Sequence, residues 1–209
     1  MNTSSLAIIA LISPVLLAAC GGGTSERPTR ALDLPVFGGV GSGTPTIDQY
    51  LALADAINDL DGAISAGTVT SQIPQSATAS YDGLSFATFA TGTTAIGNIT
   101  LNADFINDTI GGSSGEYLII VDQSLGGGTV NASGTLPITN GNITGTTFAA
   151  DMNGTLTTGA GNYVITSNML GAFADNSGQN LAFGTYSGNV VNPGASIDAI
   201  SSGSFVATE

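Results

Sequence analysis

The chain has 209 residues, and its 15 acidic side chains face only two basic ones, Arg27 and Arg30, for a formal net charge of −13 without any histidine. Such a surface repels a phosphate backbone, which excludes nucleic acid as a partner. Without histidine or lysine there is no Ser-His-Asp relay, no histidine metal site, no Schiff base and no phosphate-loop lysine.

In chain order, residues 6–19 form an apolar run shorter than the roughly 20 residues that span a bilayer. The run ends in Leu17-Ala18-Ala19-Cys20, followed by Gly21-Gly22-Gly23. Small residues ahead of a cysteine at the end of a secretory apolar stretch form a lipobox, so residues 1–19 read as a lipoprotein signal peptide. Cys20 then becomes the lipidated first residue, carrying acyl chains such as palmitate, and attaches the protein to a membrane outside the cytoplasm. It is the chain's one cysteine, so no intramolecular disulfide supports the fold.

Residues 20–45 are rich in Gly, Ser, Thr and Pro and read as a flexible tether. Gly38, Gly39, Gly41 and Gly43 do not keep dinucleotide-loop spacing, because Thr44 stands where the last glycine is needed. Residues 46–75 read as an amphipathic helix and linker. Ile47, Tyr50, Leu51, Ala54, Ile57, Leu60 and Ile64 recur at three- and four-residue steps, predicting a helix over 46–64 with that stripe buried. Thr46 and Gln49 predict a capping box, and Asp48 suits the positive helix start. Asp55, Asp59 and Asp61 lie off the stripe as a solvated face. They lack the calcium-loop pattern, so no metal is expected.

From about residue 76 the period changes to two. Ile99, Leu101, Ala103 and Phe105 alternate with Asn98, Thr100, Asn102 and Asp104, as in a strand with one buried face. Further strands are expected at 77–81, 84–89, 116–121, 130–138, 143–149, 152–157, 163–173, 181–190 and 204–208. Turns are expected at Asp82-Gly83, Gly111-Gly112, 126–128, Asn140-Gly141, Asn153-Gly154 and 175–178. The expected fold is mainly β: an antiparallel meander closed into a barrel of about eight strands, with one N-terminal amphipathic helix. Closure removes the edges that so few charges could protect.

The C-terminal half carries Gly171-Ala172-Phe173, then Leu181-Ala182-Phe183-Gly184-Thr185-Tyr186-Ser187-Gly188, then Gly203-Ser204-Phe205. These segments resemble the closing strands of the transferrin-binding protein B-like β-barrel. Leu101, Asp104 and Phe105 resemble that family's L-x-x-D-F strand, and residues 138–145 resemble its I-x-N-G-x-(F/I)-x-G hairpin. The resemblance covers residues 76–209. It implies a single small barrel on an outer-membrane lipoprotein, facing the periplasm or the cell surface, that binds other proteins and is not an enzyme.

For catalysis the residues leave only carboxylates, hydroxyls and tyrosines. Glu116 and Asp122 share parity on one strand, but Leu118 and Ile120 between them suggest a buried face with both acids at solvated ends, not a glycosidase pair. No catalytic residue and no cofactor is assigned. The aromatic residues, among them Tyr81, Phe86, Phe105, Tyr117, Phe173 and Phe183, are expected to fill the barrel core. The reading is therefore a non-enzymatic, lipid-anchored surface binding module. Two alternatives stand beside it: a lipocalin-like carrier of a small apolar ligand, which needs a hollow lumen, and a structural envelope or adhesion component.

Overall fold

The computed structural model describes residues 34, 37–66, 69–121, 127–194 and 196–209. Among these residues one helix, α1 (Ile47–Ala66), precedes nine strands: β1 (Thr70–Ser71), β2 (Thr78–Phe89), β3 (Thr94–Asp104), β4 (Thr109–Ile120), β5 (Thr129–Thr144), β6 (Thr147–Thr158), β7 (Gly161–Asn176), β8 (Gln179–Val191) and β9 (Ile197–Thr208). From β2 to β9 each strand pairs antiparallel with the next, and β9 returns to β2. The result is a closed eight-stranded up-and-down barrel, with β1 outside it against Ala174 and Asp175 of β7.

Alternation drives closure. Along β2 the odd positions Ala79, Tyr81, Ala87 and Phe89 enter the lumen cluster, while Leu84 and Phe86 belong to a second cluster on the outer face. In β6 the inward set is Phe148, Ala150, Met152 and Leu156, and the residues between them include Asp151, Asn153, Thr155 and Thr157. The apolar face of the curled sheet is thus turned inward and most of its outer face is wet. Inside, Phe173 stacks against Tyr81, Phe105 and Phe148 at centroid distances of 5.6, 5.1 and 5.1 Å, and Phe205 reaches Phe148 at 5.9 Å.

The helix is not N-terminal, as the sequence reading placed it: residues 34 and 37–46 come before it, and Leu34 and Phe37 are buried beside it. Its start is set by the expected capping box, in which Thr46 N–H donates to Gln49 Oε1 at 2.8 Å and Gln49 N–H donates to Thr46 Oγ1 at 3.2 Å. The buried stripe differs from the expected one. Leu53, Ala56 and Leu60 are buried, with Ile57 and Ala63 beside them, whereas Ile47, Leu51 and Ile64 are 46%, 47% and 40% exposed. The helix carries apolar residues on two faces, and it buries the one that meets Leu84, Ala174, Leu181 and Val206 of the barrel wall. Among the described residues no helix is long and apolar enough to cross a membrane.

Several expected turns lie inside strands. Asp82-Gly83 sits within β2, Gly111-Gly112 within β4, Asn140-Gly141 within β5 and Asn153-Gly154 within β6. The expected strands 77–81 and 84–89 are therefore mostly one strand, and 143–149 straddles the actual turn between β5 and β6. The physical reason is close approach. A Cβ on Gly83 would run into the Val206 carbonyl, and one on Gly141 into the Ile110 carbonyl. Asn140 has φ 53° at a register shift between β5 and its neighbours, which marks a bulge where a hairpin was expected. Ser177-Gly178 is a true two-residue hairpin turn, with φ 55° and 97°.

Candidate functional site

Among the described residues, candidate places for a partner are the lumen, a polar groove beside residues 40–44, and an apolar cleft under α1. The lumen is filled. Its aromatic and aliphatic side chains leave a cavity of about 10 Å³ between Tyr117, Tyr186, Met152 and Ile200, about the space of one water. One cluster of lumen hydroxyls is paired. Tyr117 and Ser114 hydroxyls lie 2.6 Å apart, Ser114 Oγ donates to the Asn98 carbonyl at 2.7 Å, and Ser85 Oγ lies 3.0 Å from Ser114 Oγ. Burial pushes the Tyr117 and Tyr186 phenols up, so both stay neutral.

A β-bulge builds the groove. Between Gly115 and Tyr117 the β4–β5 register shifts, and Glu116 sits in the bulge with φ 56°. The bulge switches the lumen-facing positions of β4 from even, as at Ile110, to odd, so the face that the sequence reading took as the buried one points away from the lumen. Tyr117 and Ile119 face the lumen cluster, while Leu118 and Ile120 face outward. Glu116 Oε2 accepts from Gly41 N–H at 3.0 Å, from Gly43 N–H at 3.1 Å and from Asn98 Nδ2 at 2.7 Å. Asn98 Nδ2 also donates to the Gly43 carbonyl at 2.7 Å. Next to it, Val40 N–H donates to Thr100 Oγ1 at 3.0 Å, and Thr100 Oγ1 donates to Asp82 Oδ1 at 2.7 Å. The later part of the expected tether, residues 37–45, is thus clipped to the barrel wall. Burial pulls the Glu116 carboxyl up, but the donors from Asn98, Gly41 and Gly43 outweigh it and hold it below its ordinary 4.5. The polar groove beside this clip, of about 650 Å³, runs past Glu116, Asn131, Ser133 and Thr157.

The cleft lies on the opposite flank. Its floor is two lateral rows of outward side chains: Ser204, Thr185 and Leu170 in register across β9, β8 and β7, then Val206, Phe183 and Ala172. Ile57 and Leu60 of α1 form its roof and Asp61 its one charged margin, around a volume of about 360 Å³. Phe86 and Phe183, expected in the lumen with the other aromatics, instead pack beside α1. Among the described residues two buried side-chain oxygens lack a partner, Tyr81 OH in the lumen and Ser204 Oγ at this cleft.

Cys20 and Asp122 lie outside the described residues, and the partners of Glu116 among the described residues are Gly41, Gly43 and Asn98. Asp55, Asp59 and Asp61 are exposed on α1, and among the described residues no three potential metal-ligating acids converge. The residues behind the family resemblance occupy definite places. Asp104 ends β3 and closes the following turn by accepting from Ile106 N–H and Asn107 N–H, both at 3.0 Å; Leu101 and Phe173 are fully buried. A Cβ on Gly171 would enter the Phe148 ring, and one on Gly184 would strike the Leu170 carbonyl, so these glycines serve wall packing. The clip at Glu116 and the cleft were both missed from sequence, since each depends on a segment docking across the barrel.

No protein-family model matches the chain, no curated protein matches it, and no solved structure matches it.

Proposed function

We propose that this chain is a non-enzymatic lipoprotein of the outer membrane, similar to the transferrin-binding protein B-like barrels and held by acyl chains on Cys20. It acts as a binding module through its outer surface. The observation that carries the reading is the arrangement of the barrel wall. Apolar side chains fill the lumen, while outward positions of β6 and β7 are Asp151, Asn153, Thr155, Thr166 and Asn168. A barrel that crosses a bilayer needs an apolar band on its outside, so attachment falls to the lipobox. Among the described residues the lumen cavity between Tyr117, Tyr186, Met152 and Ile200 offers a cargo about 10 Å³, which favours surface contacts over the lipocalin-like alternative.

The test is made in cells. The native chain should fractionate with the outer membrane, and Cys20→Ala should move into a soluble extracytoplasmic pool. A photo-crosslinking residue placed at Ile106 or Ile197, each 74% exposed, should yield a discrete protein adduct. Unchanged fractionation of Cys20→Ala would overturn the anchor. Absence of any adduct at outer-face positions would overturn the binding role in favour of a structural envelope component.

A further inference from the structure

We propose that the cleft between α1 and the outer wall of β7, β8 and β9 is a binding site for a small, uncharged, apolar molecule carrying one hydrogen-bonding group, an aryl- or alkyl-bearing alcohol or an arylamine in class. This site is separate from the protein-binding role above and does not depend on it.

Four observations converge on that ligand class. The volume of about 360 Å³ falls at the lower end of small-molecule pockets, roughly 300–1,000 Å³. The walls are aliphatic and aromatic: Ile57 and Leu60 above, Phe183, Val206 and Leu170 below. Leu170 remains 64% exposed at the mouth, an apolar surface whose cover removes it from water. The Ser204 hydroxyl supplies the polar feature. Ser204 is 2% exposed, outward-facing on β9 between Phe86 and Thr185 in the neighbouring strands, and its Oγ has no partner.

Buried hydroxyls are almost always satisfied, so an unsatisfied one in a mostly apolar wall points to a missing partner. A serine hydroxyl turns about a single bond between staggered positions, and it can both donate and accept. Charge settles the rest. Among the described residues the cleft has no cation, the chain has no basic side chain beyond Arg30, and Asp61 stands at the margin. A carboxylate or phosphate would enter this field unpaired, which disfavours fatty acids and phospholipid headgroups. A neutral molecule meets no such cost.

The probe is N-phenyl-1-naphthylamine, neutral and apolar with one N–H, which fluoresces when it leaves water. Titrated into the purified full-length protein lacking only the lipid (Cys20→Ala, detergent-free), it should saturate at one molecule per chain. The hydrocarbon analogue 1-benzylnaphthalene, which lacks the N–H, should displace it with about fivefold weaker affinity, and Ser204→Ala should abolish that difference between the two. Ala172→Phe, which fills the floor, should abolish binding. Leu170→Asp, at an exposed position that leaves the packing alone, should weaken it about tenfold or more, so the outcome does not hang on one variant's folding. The anionic analogue 8-anilinonaphthalene-1-sulfonate should compete at least tenfold less well. No saturable binding, or binding indifferent to both Ala172→Phe and Leu170→Asp, would overturn the site. Equal competition by the sulfonate would overturn its preference for neutral molecules, and an unchanged ratio of the two neutral probes in Ser204→Ala would overturn the role of the hydroxyl.

Discussion

Glu116 shows how one residue can position a whole segment. Its backbone takes a left-handed φ of 56°, uncommon for a side chain of this size, and the bulge so formed turns the carboxylate toward residues 41–43. One oxygen then receives three N–H donors, the arrangement that most favours the ionised form. Because the folded carboxyl lies below its ordinary 4.5, the contribution of the clip is complete above about pH 4.5 and is lost as pH falls through the lowered value. Amide hydrogen exchange on Gly41 and Gly43 reads this directly. Protection factors should hold at neutral pH and fall in acid, with the step below the ordinary carboxyl value of 4.5. In Glu116→Gln, where the charge is gone, they should be low throughout and show no acid step. Equal protection of native and variant chains at neutral pH would mean that Phe37 and Leu34, buried beside α1, hold the segment without the carboxylate.

Among the elements, the helix shows what the sequence reveals and what it hides. Three- and four-residue apolar spacing and the Thr46–Gln49 pair locate it to within a few residues, because both signals are local. Which face it buries is not local. Ile47 and Leu51 form one apolar edge, Leu53 and Leu60 another, and only the barrel's Leu84, Leu181 and Val206 choose between them. Leu53→Ala should therefore lower unfolding stability by about 2–5 kcal/mol, the range for emptying a buried leucine site. Leu51→Ala, at a side chain 47% exposed, should change it by less than about 0.5 kcal/mol. Chemical denaturation of the two variants separates them, and equal losses would restore the stripe read from sequence. The same division runs through the strands. Alternation of Ile99, Leu101 and Ala103 against polar neighbours is legible because each residue reports its own face. Asp82-Gly83 and Asn153-Gly154 look like turns because the dipeptide says nothing of the carbonyl from the next strand that occupies the place of a Cβ. The bulge at Glu116 hides for a similar reason: it shifts parity without leaving any apolar or turn signature.

For the molecule as a whole, closure and charge act on each other. A sheet whose outer face carries Thr, Asn and Asp but no lysine has few of the charges that ordinarily guard exposed strand edges. Pairing β9 with β2 over Asp82–Thr208 to Phe89–Ile200 leaves no free edge in the barrel itself. What remains unopposed is the field. With a net charge of −13 and no basic side chain among the described residues, folding concentrates negative charge that the unfolded chain spreads apart, so self-repulsion works against the native state. Salt screens that repulsion, with a Debye length of roughly 30 Å at 0.01 M falling to about 8 Å at 0.15 M. The melting temperature should accordingly rise with sodium chloride across this range. A gain on the order of 1 kcal/mol corresponds to about 2–4 °C for a chain of this size. Calorimetry at neutral pH in the two salts decides it, with sucrose at matched osmolality as the control for general solvent exclusion. A flat response would mean that the acids sit far enough apart on the wet face, and deep enough in solvent, that the closed barrel is no more repulsive than the open chain.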